Sequence, residues 1–478
     1  MRKLRLRKIA FTIFASCVCA AAIASTTKTK FASLVSFDET NGSNPYYESL
    51  VQGTDGNLYG TTAYGGASEQ NCYGASCGTV FKITPTGTVT TLHEFDFADG
   101  GHPEAGLLQT TNGDFYGTTA VGGSSGNGTI FKITRAGGLT TIYEFQDSTD
   151  GASPLGALVQ AGNGVFYGTT SVGGGNPCAC GTVFKVTSAG MLTTLHAFVG
   201  GGTEGNYPEA GLVQGTDGNF YGTTANGGTN GYGTVFKITP AGMLTVLYSF
   251  DSTDGANPWA GLVQGTDGNF YGTTTYGGTS GSGCTGFGCG TVFKITSAGM
   301  LATLHNFDGT DGAIPTGGLA QATNGVFYGT TSGYGANNGG TIFKITTAGT
   351  LTTLHNFDVA HGANPLGGLA QATNGTFYGT TSQGGTDNNG TVFSLSVGLN
   401  PFVETLPTSG KVGAKVVILG TDLTGATSVT FNGTAATFTV VRRSEITATV
   451  PAGAATGKVD VTTPKGTLKS NAVFRVTK

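Results

Sequence analysis

Apolar and polar residues alternate over short stretches of this chain, with the period of two that is typical of strands. Between residues 261 and 307 this pattern marks four segments: 262–264, 270–274, 291–296 and 301–307. Thr-Asp-Gly-Asn joins the first two and Ser-Ala-Gly joins the last two, and both are tight-turn sequences. We therefore predict four antiparallel strands, with a longer glycine-rich loop between the second and the third.

The same unit returns seven times along the chain. Tyr-Gly-Thr-Thr marks the second strand at Tyr59, Tyr116, Tyr167, Tyr221, Tyr271, Tyr328 and Tyr378, and Gly-Thr-Val/Ile-Phe marks the third at Gly78, Gly128, Gly181, Gly233, Gly290, Gly340 and Gly390. A spacing of about 50 residues is typical of arrays in which each unit buries its apolar face against its neighbours. The pattern predicts an all-β fold, a seven-bladed β-propeller.

The two ends of the repeat region complement each other. The seventh unit ends after its third strand at 391–396, whereas residues 31–38 have the pattern of an unaccompanied fourth strand. Pairing of 34–37 with the strand at Val392 would complete the seventh blade and leave no open sheet edge at the seam. We expect a closed ring rather than an open solenoid.

The phrase Gly-Leu-Val-Gln-Gly-Thr-Asp-Gly-Asn-Phe-Tyr-Gly-Thr-Thr, at 211–224 and again at 261–274, resembles the GloVer tandem-repeat family. Gly-Thr-Val-Phe-Lys-Ile-Thr-Pro-Ala-Gly at 233–242 extends the resemblance, which covers residues 31–397. The resemblance implies an exported bacterial protein with a propeller-like fold. It implies no established activity and carries no catalytic residue over to this chain.

The repeat disappears after Asn400-Pro401, and five strand-like segments follow in residues 401–478. Their spacing favours a small immunoglobulin-like β-sandwich. The Pro-Thr-Ser-Gly start at 407–410 and the Val-Pro-Ala-Gly turn at 450–453 resemble an IPT/TIG domain. In an exported protein, such a resemblance implies a spacer or attachment module.

Residues 1–24 have the pattern of a cleaved signal peptide, with five cations before an apolar run and Ala22-Ile23-Ala24 at its end. We expect Ser25 to be the mature N-terminus and the protein to be secreted or held at the cell surface. Cys17 and Cys19 raise a lipoprotein as the alternative, but the residues before Cys17 make a poor lipobox. No later segment has the length and hydropathy of a transmembrane helix.

The six remaining cysteines fall as pairs in the same loop of units one, three and five: Cys72/Cys77, Cys178/Cys180 and Cys284/Cys289. Proximity and an oxidising compartment predict one local disulfide per loop, although six cysteines allow about 15 pairings. The short 178–180 ring is the doubtful pair, because so small a ring is strained. Zinc binding is disfavoured since no His has a suitable spacing.

The net charge of the two regions limits the classes of molecule that the protein is expected to bind. Residues 25–400 contain nine basic and 23 acidic residues, net −14, whereas residues 401–478 carry +5. Nucleic-acid binding depends on phosphate neutralisation, so an acidic ring argues against a nucleic-acid partner. We expect a monomer that binds a polysaccharide or a surface protein.

If the 262–264 strand is innermost, the long loops emerge together on one face of the ring, here called the long-loop face, and the tight turns emerge on the other, the tight-turn face. Binding sites concentrate on variable loops over a rigid scaffold. Aromatic residues on these loops are candidates for stacking on sugars or anchoring a protein, although packing between loops is the simpler role for any one of them. The candidates are Trp259, Tyr276, Tyr64, Tyr207, Tyr232 and Tyr334, and the same loops carry Tyr46, Tyr47, Tyr73 and Phe287.

Acidic residues leave two alternatives open. Asp-x-x-Asp-Gly recurs between the units, as at Asp251/Asp254, and turn chemistry explains it better than a Ca²⁺ site, which needs more oxygen ligands. Glu204 and Glu209 are the acidic pair that departs most from the repeat, so a glycan-cleaving site is conceivable there. Otherwise no catalytic constellation is evident. We expect a non-catalytic binding or scaffold protein without a cofactor or metal, with a glycan hydrolase or lyase and a purely structural surface protein as alternatives.

Overall fold

The structure, a computed structural model, describes residues 29–47, 49–66, 72–147, 149–175, 177–200, 202–279, 284 and 286–477. The predicted signal peptide, with Cys17 and Cys19, lies outside the described residues. Apart from one 3₁₀ turn at Val359–His361, the described regular structure is all β, as predicted.

In the described residues of the repeat region the strands form seven four-stranded antiparallel sheets, here called blades 1 to 7. Their innermost strands are β2 (Val51–Gln52), β6 (Leu108–Gln109), β10 (Val159–Gln160), β14 (Val213–Gln214), β18 (Val263–Gln264), β22 (Ala320–Gln321) and β26 (Ala370–Gln371). The second strands are β3 (Leu58–Thr62), β7 (Phe115–Thr119), β11 (Phe166–Thr170), β15 (Phe220–Thr224), β19 (Phe270–Thr274), β23 (Phe327–Thr331) and β27 (Phe377–Thr381).

The outer half of each blade consists of the third and fourth strands. The third strands are β4 (Thr79–Ile83), β8 (Thr129–Ile133), β12 (Thr182–Val186), β16 (Thr234–Ile238), β20 (Thr291–Ile295), β24 (Thr341–Ile345) and β28 (Thr391–Ser396). The fourth strands are β5 (Val89–Glu94), β9 (Leu139–Glu144), β13 (Leu192–Ala197), β17 (Leu244–Ser249), β21 (Leu301–Asn306), β25 (Leu351–Asn356) and, for blade 7, the N-terminal β1 (Lys30–Ser36).

The repeated Tyr-Gly-Thr-Thr holds each blade to itself and to the next. In blade 4, the Tyr221 ring stacks on Phe270 of blade 5 at 3.9 Å, and its hydroxyl donates to Asp217. A Cβ on Gly222 would stand 2.6 Å from the Phe236 ring, so glycine is required there. The threonines are bonded in the same way in blade after blade, as in Thr224 to Thr234 at 2.8 Å. The phrase is therefore structural.

The ring closes through its N-terminal strand, as predicted. β1 pairs antiparallel with β28, with Lys30 opposite Ser396 and Ser36 opposite Thr391. Blade 7 then packs against blade 1 in an apolar cluster that includes Phe37 and Tyr378. Each of the six remaining pairs of neighbouring blades has a corresponding apolar cluster between them.

The C-terminal domain is a sandwich with its own core. Its strands are β29 (Val403–Leu406), β30 (Ser409–Lys411), β31 (Lys415–Gly420), β32 (Ser428–Phe431), β33 (Thr434–Ala435), β34 (Phe438–Arg442), β35 (Glu445–Thr449), β36 (Val459–Thr463), β37 (Gly466–Lys469) and β38 (Arg475–Thr477). The sheets β29-β31-β35-β34 and β33-β32-β36-β37 enclose residues such as Ile418, Ile446 and Val461. This agrees with the predicted immunoglobulin-like fold.

Candidate functional site

The sandwich docks on the tight-turn face of the propeller. Ser444 donates to the Thr54 carbonyl at 2.7 Å, Arg475 Nη1 donates to the Thr216 carbonyl at 3.0 Å, and the Thr373 and Thr421 hydroxyls lie 3.0 Å apart. These contacts touch the turns of blades 1, 4 and 7. The long-loop face is therefore left clear of the C-terminal domain.

A cavity of about 340 Å³ lies between the sandwich and the end of the central channel. Glutamines at the ends of the innermost strands line it from the propeller side, and Glu404 and Leu406 of β29 line it from the sandwich. Burial raises the pKa of Glu404. Both side-chain polar atoms of Gln371 are buried without a partner in the described part of the chain.

At the other end of the channel, a proline in each blade fixes the loops of the long-loop face. The residue before it has a positive φ, as in His102 (50°), Tyr207 (56°) and Asn257 (53°). Its N–H bonds to a loop of the preceding blade, as from Tyr207 to the Cys180 carbonyl at 3.0 Å. The residues that follow the prolines are Tyr46, Glu104, Leu155, Glu209, Trp259, Thr316 and Leu366. Those of blades 3 to 6, Leu155, Glu209, Trp259 and Thr316, line the channel rim.

A cavity of about 440 Å³ opens at this rim, here called the channel mouth. One leucine from each blade forms its inner wall: Leu50, Leu107, Leu158, Leu212, Leu262, Leu319 and Leu369. Tyr47, Leu155, Glu209 and Trp259 line its outer part. Tyr47 is the extra residue of unit one, which has one more position between its proline and its leucine than the other units. The mouth thus combines an apolar wall with aromatic and acidic side chains.

Two carboxyl groups have raised pKa values: that of Glu209, which lines the mouth, and that of Glu104, which lies outside the lining. Burial raises the pKa of Glu209 to about 7. Burial, helped by the negative charge of Glu209, raises the pKa of Glu104 to about 7 as well. Burial also raises the pKa of the Tyr47 hydroxyl, with smaller contributions from Tyr46, Glu209 and Glu104. These side chains therefore share one electrostatic environment, and perturbed groups in a cavity are candidates for function.

The aromatic candidates divide into those at the mouth and those away from it. Trp259 at the mouth meets Tyr276 edge to face, with ring centroids 5.8 Å apart. Tyr276, Tyr232 and the exposed Phe287 line a separate groove of about 550 Å³. Tyr64 packs edge to face on His102, and burial, helped by Glu104 and Tyr46, raises its pKa.

Two further candidates, Tyr207 and Tyr334, are held in positions where they support the fold. Tyr207 is one of the positive-φ residues that precede the prolines. Tyr334, also at positive φ, packs on the apolar cluster between blades 5 and 6. Tyr73, from the wider set on these loops, packs edge to face on Phe97 with centroids 5.3 Å apart. Of the aromatic residues on these loops, Trp259 and Tyr47 line the mouth.

The pairing of Glu204 with Glu209 is not what the structure holds. The Glu204 carboxylate accepts the Val199 N–H at 2.7 Å and lies 3.2 Å from His196 Nε2, in its own inter-blade loop. Glu209 instead lines the mouth, and its charge acts on Glu104 of blade 2, which the sequence argument did not single out. The sequence does mark this pair: of the seven residues that follow the prolines, only Glu104 and Glu209 are acidic.

The inter-blade aspartates behave as turn residues. Asp96 and Asp99 each accept the other's N–H at 3.1 Å, and Asp99 also bonds His93 Nε2 at 2.7 Å. Tyr248 replaces the histidine in blade 4 and bonds Asp254. In the described ranges no cluster of three or more His, Cys, Asp or Glu residues is arranged to hold a metal ion. The absence of a bound metal, with Ca²⁺ as the alternative, stays a prediction.

The cysteines pair as predicted: Cys72–Cys77, Cys178–Cys180 and Cys284–Cys289. The short 178–180 ring, doubted on the sequence, is formed. These disulfides are consistent with an exported protein. None of the helices in the described part of the chain could cross a bilayer.

Family models match two parts of the chain. The Gloeobacter/Verrucomicrobia repeat matches residues 70–287 and 282–434, and the IPT/TIG domain matches residues 402–476. Both resemblances seen in the sequence are thereby confirmed. No curated protein sequence matches significantly.

Three solved structures are similar to this chain, and the first of them reaches a TM-score of 0.50. The extracellular domain of a hybrid two-component system from B. thetaiotaomicron aligns with a TM-score of 0.50 at 12% identity, over 92% of this chain and 57% of that one. A copper-bound fungal alcohol oxidase of the AA5 family gives 0.49 at 13% identity, over 94% and 99%. PorZ, a surface component of the Porphyromonas gingivalis type-IX secretion system, gives 0.46 at 14% identity, over 93% and 61%. This chain thus spans little more than half the length of the first, and identities this low extend the likeness to the fold alone.

Proposed function

The chain belongs to the Gloeobacter/Verrucomicrobia repeat family and ends in an IPT/TIG domain, and we propose that it is an exported surface protein that binds a polysaccharide at its channel mouth. The observation that carries the proposal is the one-sided arrangement of the molecule. The C-terminal domain occupies the tight-turn face, while the variable aromatic and acidic residues meet on the long-loop face.

The chemistry of the mouth suits a sugar. Trp259 and Tyr47 offer aromatic surfaces of the kind that stack on the apolar face of a sugar ring. Glu209 offers acceptors for hydroxyl groups when its carboxyl group is ionised, and a donor when it is protonated. A cavity of about 440 Å³ lies within the usual range of small-ligand sites, which fits the end of a chain or one or two sugar units.

A glycan array and polysaccharide pull-down with oxidised protein of residues 25–478 would test the proposal. Trp259→Ala should lose retention on every bound glycan, because it removes the largest stacking surface at the mouth. Met243→Ala is the matched control, since Met243 is 69% exposed in a turn on the opposite face. Equal retention of the wild type and Trp259→Ala would refute binding at the mouth, and silence on all glycans would favour a protein partner or a purely structural role.

Export is part of the proposal and has its own test. The predicted signal peptide at 1–24 and the three disulfides support it. Expression in a bacterial host should yield protein outside the cytoplasm whose mass corresponds to a chain beginning at Ser25. Retention of the whole leader by cytoplasmic protein would contradict export.

Glycoside hydrolysis is the second candidate, and the two carboxyl groups with raised pKa favour it. Glycosidases commonly use one protonated and one ionised carboxyl group on either side of the scissile bond. Sugar release from a bound glycan should then fall by at least about 100-fold in both Glu104→Gln and Glu209→Gln. Binding without release in the wild type would leave the non-catalytic function as the account of the mouth.

A further inference from the structure

The loop between the second and third strands of blade 3 holds the disulfide with the smallest ring, Cys178–Cys180, in which one residue separates the two cysteines. We propose that this pair is a site of thiol–disulfide exchange, at which a thiolate of another molecule attacks Cys178 and Cys180 is the resolving cysteine. The substrate class is a polypeptide that carries a dithiol. This inference goes beyond the proposed glycan binding and does not depend on it.

The two cysteines of this pair differ in accessibility. Cys180 is 1% exposed and packs in the apolar cluster between blades 3 and 4. Cys178 packs against the same cluster but is partly exposed. In the Cys72–Cys77 pair, by contrast, both residues are at most 1% exposed. Exchange begins at a sulfur that a thiolate can reach, so Cys178 is the point of attack.

A backbone N–H is placed to stabilise negative charge on Cys178. The Gly200 N–H donates to Cys178 Sγ at 2.8 Å, and the Phe198 carbonyl oxygen lies 3.6 Å from the same sulfur, where it can accept from a thiol. A Cβ on Gly200 would stand 2.5 Å from Cys178 Cβ and 3.1 Å from each of the two sulfurs. Only glycine therefore brings its N–H this close to the disulfide. A hydrogen bond of this kind favours a thiolate on Cys178 once the bond has opened.

The repeat is interrupted beside this disulfide. After their fourth strands, blades 1 and 5 continue with Asp-x-x-Asp-Gly, at 96–100 and 308–312, although their own loops also contain a cysteine pair. Blade 3 instead continues with Val199 and three glycines at 200–202. The Gly200 that contacts Cys178 is thus a departure from the repeat, and such departures are expected at functional or strained sites.

The backbone keeps Cys180 in place while the bond is open. The Cys180 carbonyl accepts the Tyr207 N–H at 3.0 Å, and the Ala179 carbonyl accepts the Gly173 N–H at 3.1 Å. Ala179, between the cysteines, has a φ of 48°, which costs free energy in a residue with a Cβ. A ring closed over one intervening residue is itself strained, and strained, exposed disulfides are the ones that exchange readily.

The surroundings of Cys178 leave room for a polypeptide. The exposed residues beside it in its own loop and in the loop of Gly200 are small and uncharged: Gly175, Pro177, Ala179, Val199 and Gly200. A peptide backbone can therefore approach the sulfur without meeting a long side chain.

The exchange balances in two steps. A substrate thiolate attacks Cys178 Sγ and forms a mixed disulfide, while the Cys178–Cys180 bond breaks and its electron pair passes to Cys180 Sγ, which takes a proton from water. The second substrate thiolate then attacks the substrate sulfur of the mixed disulfide, and Cys178 leaves as a thiolate bonded by the Gly200 N–H. The substrate dithiol is thereby oxidised to a disulfide, and the cysteine pair is reduced by two electrons.

A redox titration of the unmodified protein is the first test. Oxidised protein of residues 25–478 is equilibrated with mixtures of reduced and oxidised dithiothreitol and alkylated, and mass spectrometry of its peptides gives the reduced fraction of each pair. Cys178–Cys180 should be half reduced at a ratio of reduced to oxidised dithiothreitol at least about tenfold lower than either other pair. Cys72–Cys77 and Cys284–Cys289 are internal controls. Reduction of all three pairs at the same ratio would overturn the proposal.

Single-cysteine variants test the separate roles of the two residues. With a disulfide-bonded peptide, Cys178 in the Cys180→Ser variant should form a mixed disulfide at least about tenfold faster than Cys180 in the Cys178→Ser variant. Equal rates, or a faster reaction of Cys180, would refute the assignment of attacked and resolving cysteine. The double change of Cys72 and Cys77 to serine is the matched control and should leave the titration of Cys178–Cys180 unchanged. Melting curves would show whether the variants fold, and the titration of the unmodified protein decides if one does not.

The choice of substrate has its own comparison. A reduced dithiol peptide should be oxidised by the wild type, with one equivalent of peptide disulfide formed for each Cys178–Cys180 pair that is reduced. Reduced glutathione, a small monothiol, is the other probe. Exchange with glutathione but not with the peptide would overturn the polypeptide substrate, and exchange with neither would overturn the site itself.

Discussion

Phe31 of the closing strand lies flat against the His355 ring of blade 6, with centroids 3.7 Å apart and planes 9° from parallel. His355 occupies the fourth-strand position at which His93 and His305 each bond an aspartate. Its own Nε2 is buried without a partner in the described part of the chain. Burial lowers the pKa of His355. The seam therefore contains a histidine that the fold keeps neutral.

Acid should weaken the fold through this residue. An unfolded histidine titrates near pH 6.5, whereas folded His355 titrates lower, so below about pH 6.5 the unfolded chain binds the extra proton and stability falls. His355→Tyr, a residue that the repeat already uses at this position in Tyr143 and Tyr248, should lose less stability between pH 7 and pH 5. Melting temperatures of the two chains across this range would decide. Parallel curves would contradict the effect of His355.

A glycine in the second strand should tolerate no methyl group. A Cβ on Gly222 would meet the Phe236 ring at 2.6 Å in a buried strand, so Gly222→Ala should cost about 1–3 kcal/mol. Gly333→Ala is the matched control, because its Cβ would have its nearest neighbour at 3.5 Å. Urea unfolding would measure both. A Gly222→Ala chain as stable as Gly333→Ala would show that the strands shift to accept the methyl.

The disulfides should stabilise individual loops rather than the ring as a whole. Cys72 and Cys77 are buried in the cluster between blades 1 and 2, yet the equivalent loop of blade 2 has no cysteine. The double change Cys72→Ser and Cys77→Ser should therefore lower the free energy of unfolding by about 2 kcal/mol and leave the chain folded. Denaturant unfolding with and without a reductant would test this. Failure of the variant to fold at all would mean that the bridge is needed for assembly.

Docking of the C-terminal domain should weaken as Glu404 ionises. Its folded pKa is raised by burial, so the unfolded carboxyl ionises first, and its contribution is lost as pH rises above about 4.5. Glu404→Gln should therefore raise the melting temperature at pH 7, with a gain that shrinks towards pH 4. Asp387→Asn, which removes an exposed carboxylate from a loop of blade 7, is the control and should show no such gain. A uniform shift at both pH values would refute ionisation as the cause.

The sequence was sufficient for the fold because its main signals are local. Turn sequences, alternation and the repeated phrase act within one unit. The unpaired strand at 31–38 matched the fourth strand that the seventh unit does not contain. The acidic pair was misjudged for the opposite reason. Glu204 and Glu209 are near in sequence, but the ring brings together equivalent positions of different units, which paired Glu209 with Glu104 instead. Comparing the residue after each proline would have found them.

Docking of the sandwich on the tight-turn face could not be predicted in the same way. It depends on individual contacts such as Arg475 with the Thr216 carbonyl and Ser444 with the Thr54 carbonyl, which join residues far apart in the chain. No periodic pattern marks them. The choice of face nevertheless decides which end of the channel stays open, so this small interface has a large effect on the site.

Pairing of β1 with β28 also fixes an order of events during synthesis. The other six blades are each built from consecutive strands and can form as the chain emerges. In blade 7, however, β1 is made first and can pair only after β28, the last strand of the ring, has been made. Until they pair, β1 and β28 each have an unpaired strand edge to which another chain could bind. A polypeptide interrupted anywhere before residue 391 cannot complete the ring, so closure separates finished molecules from unfinished ones.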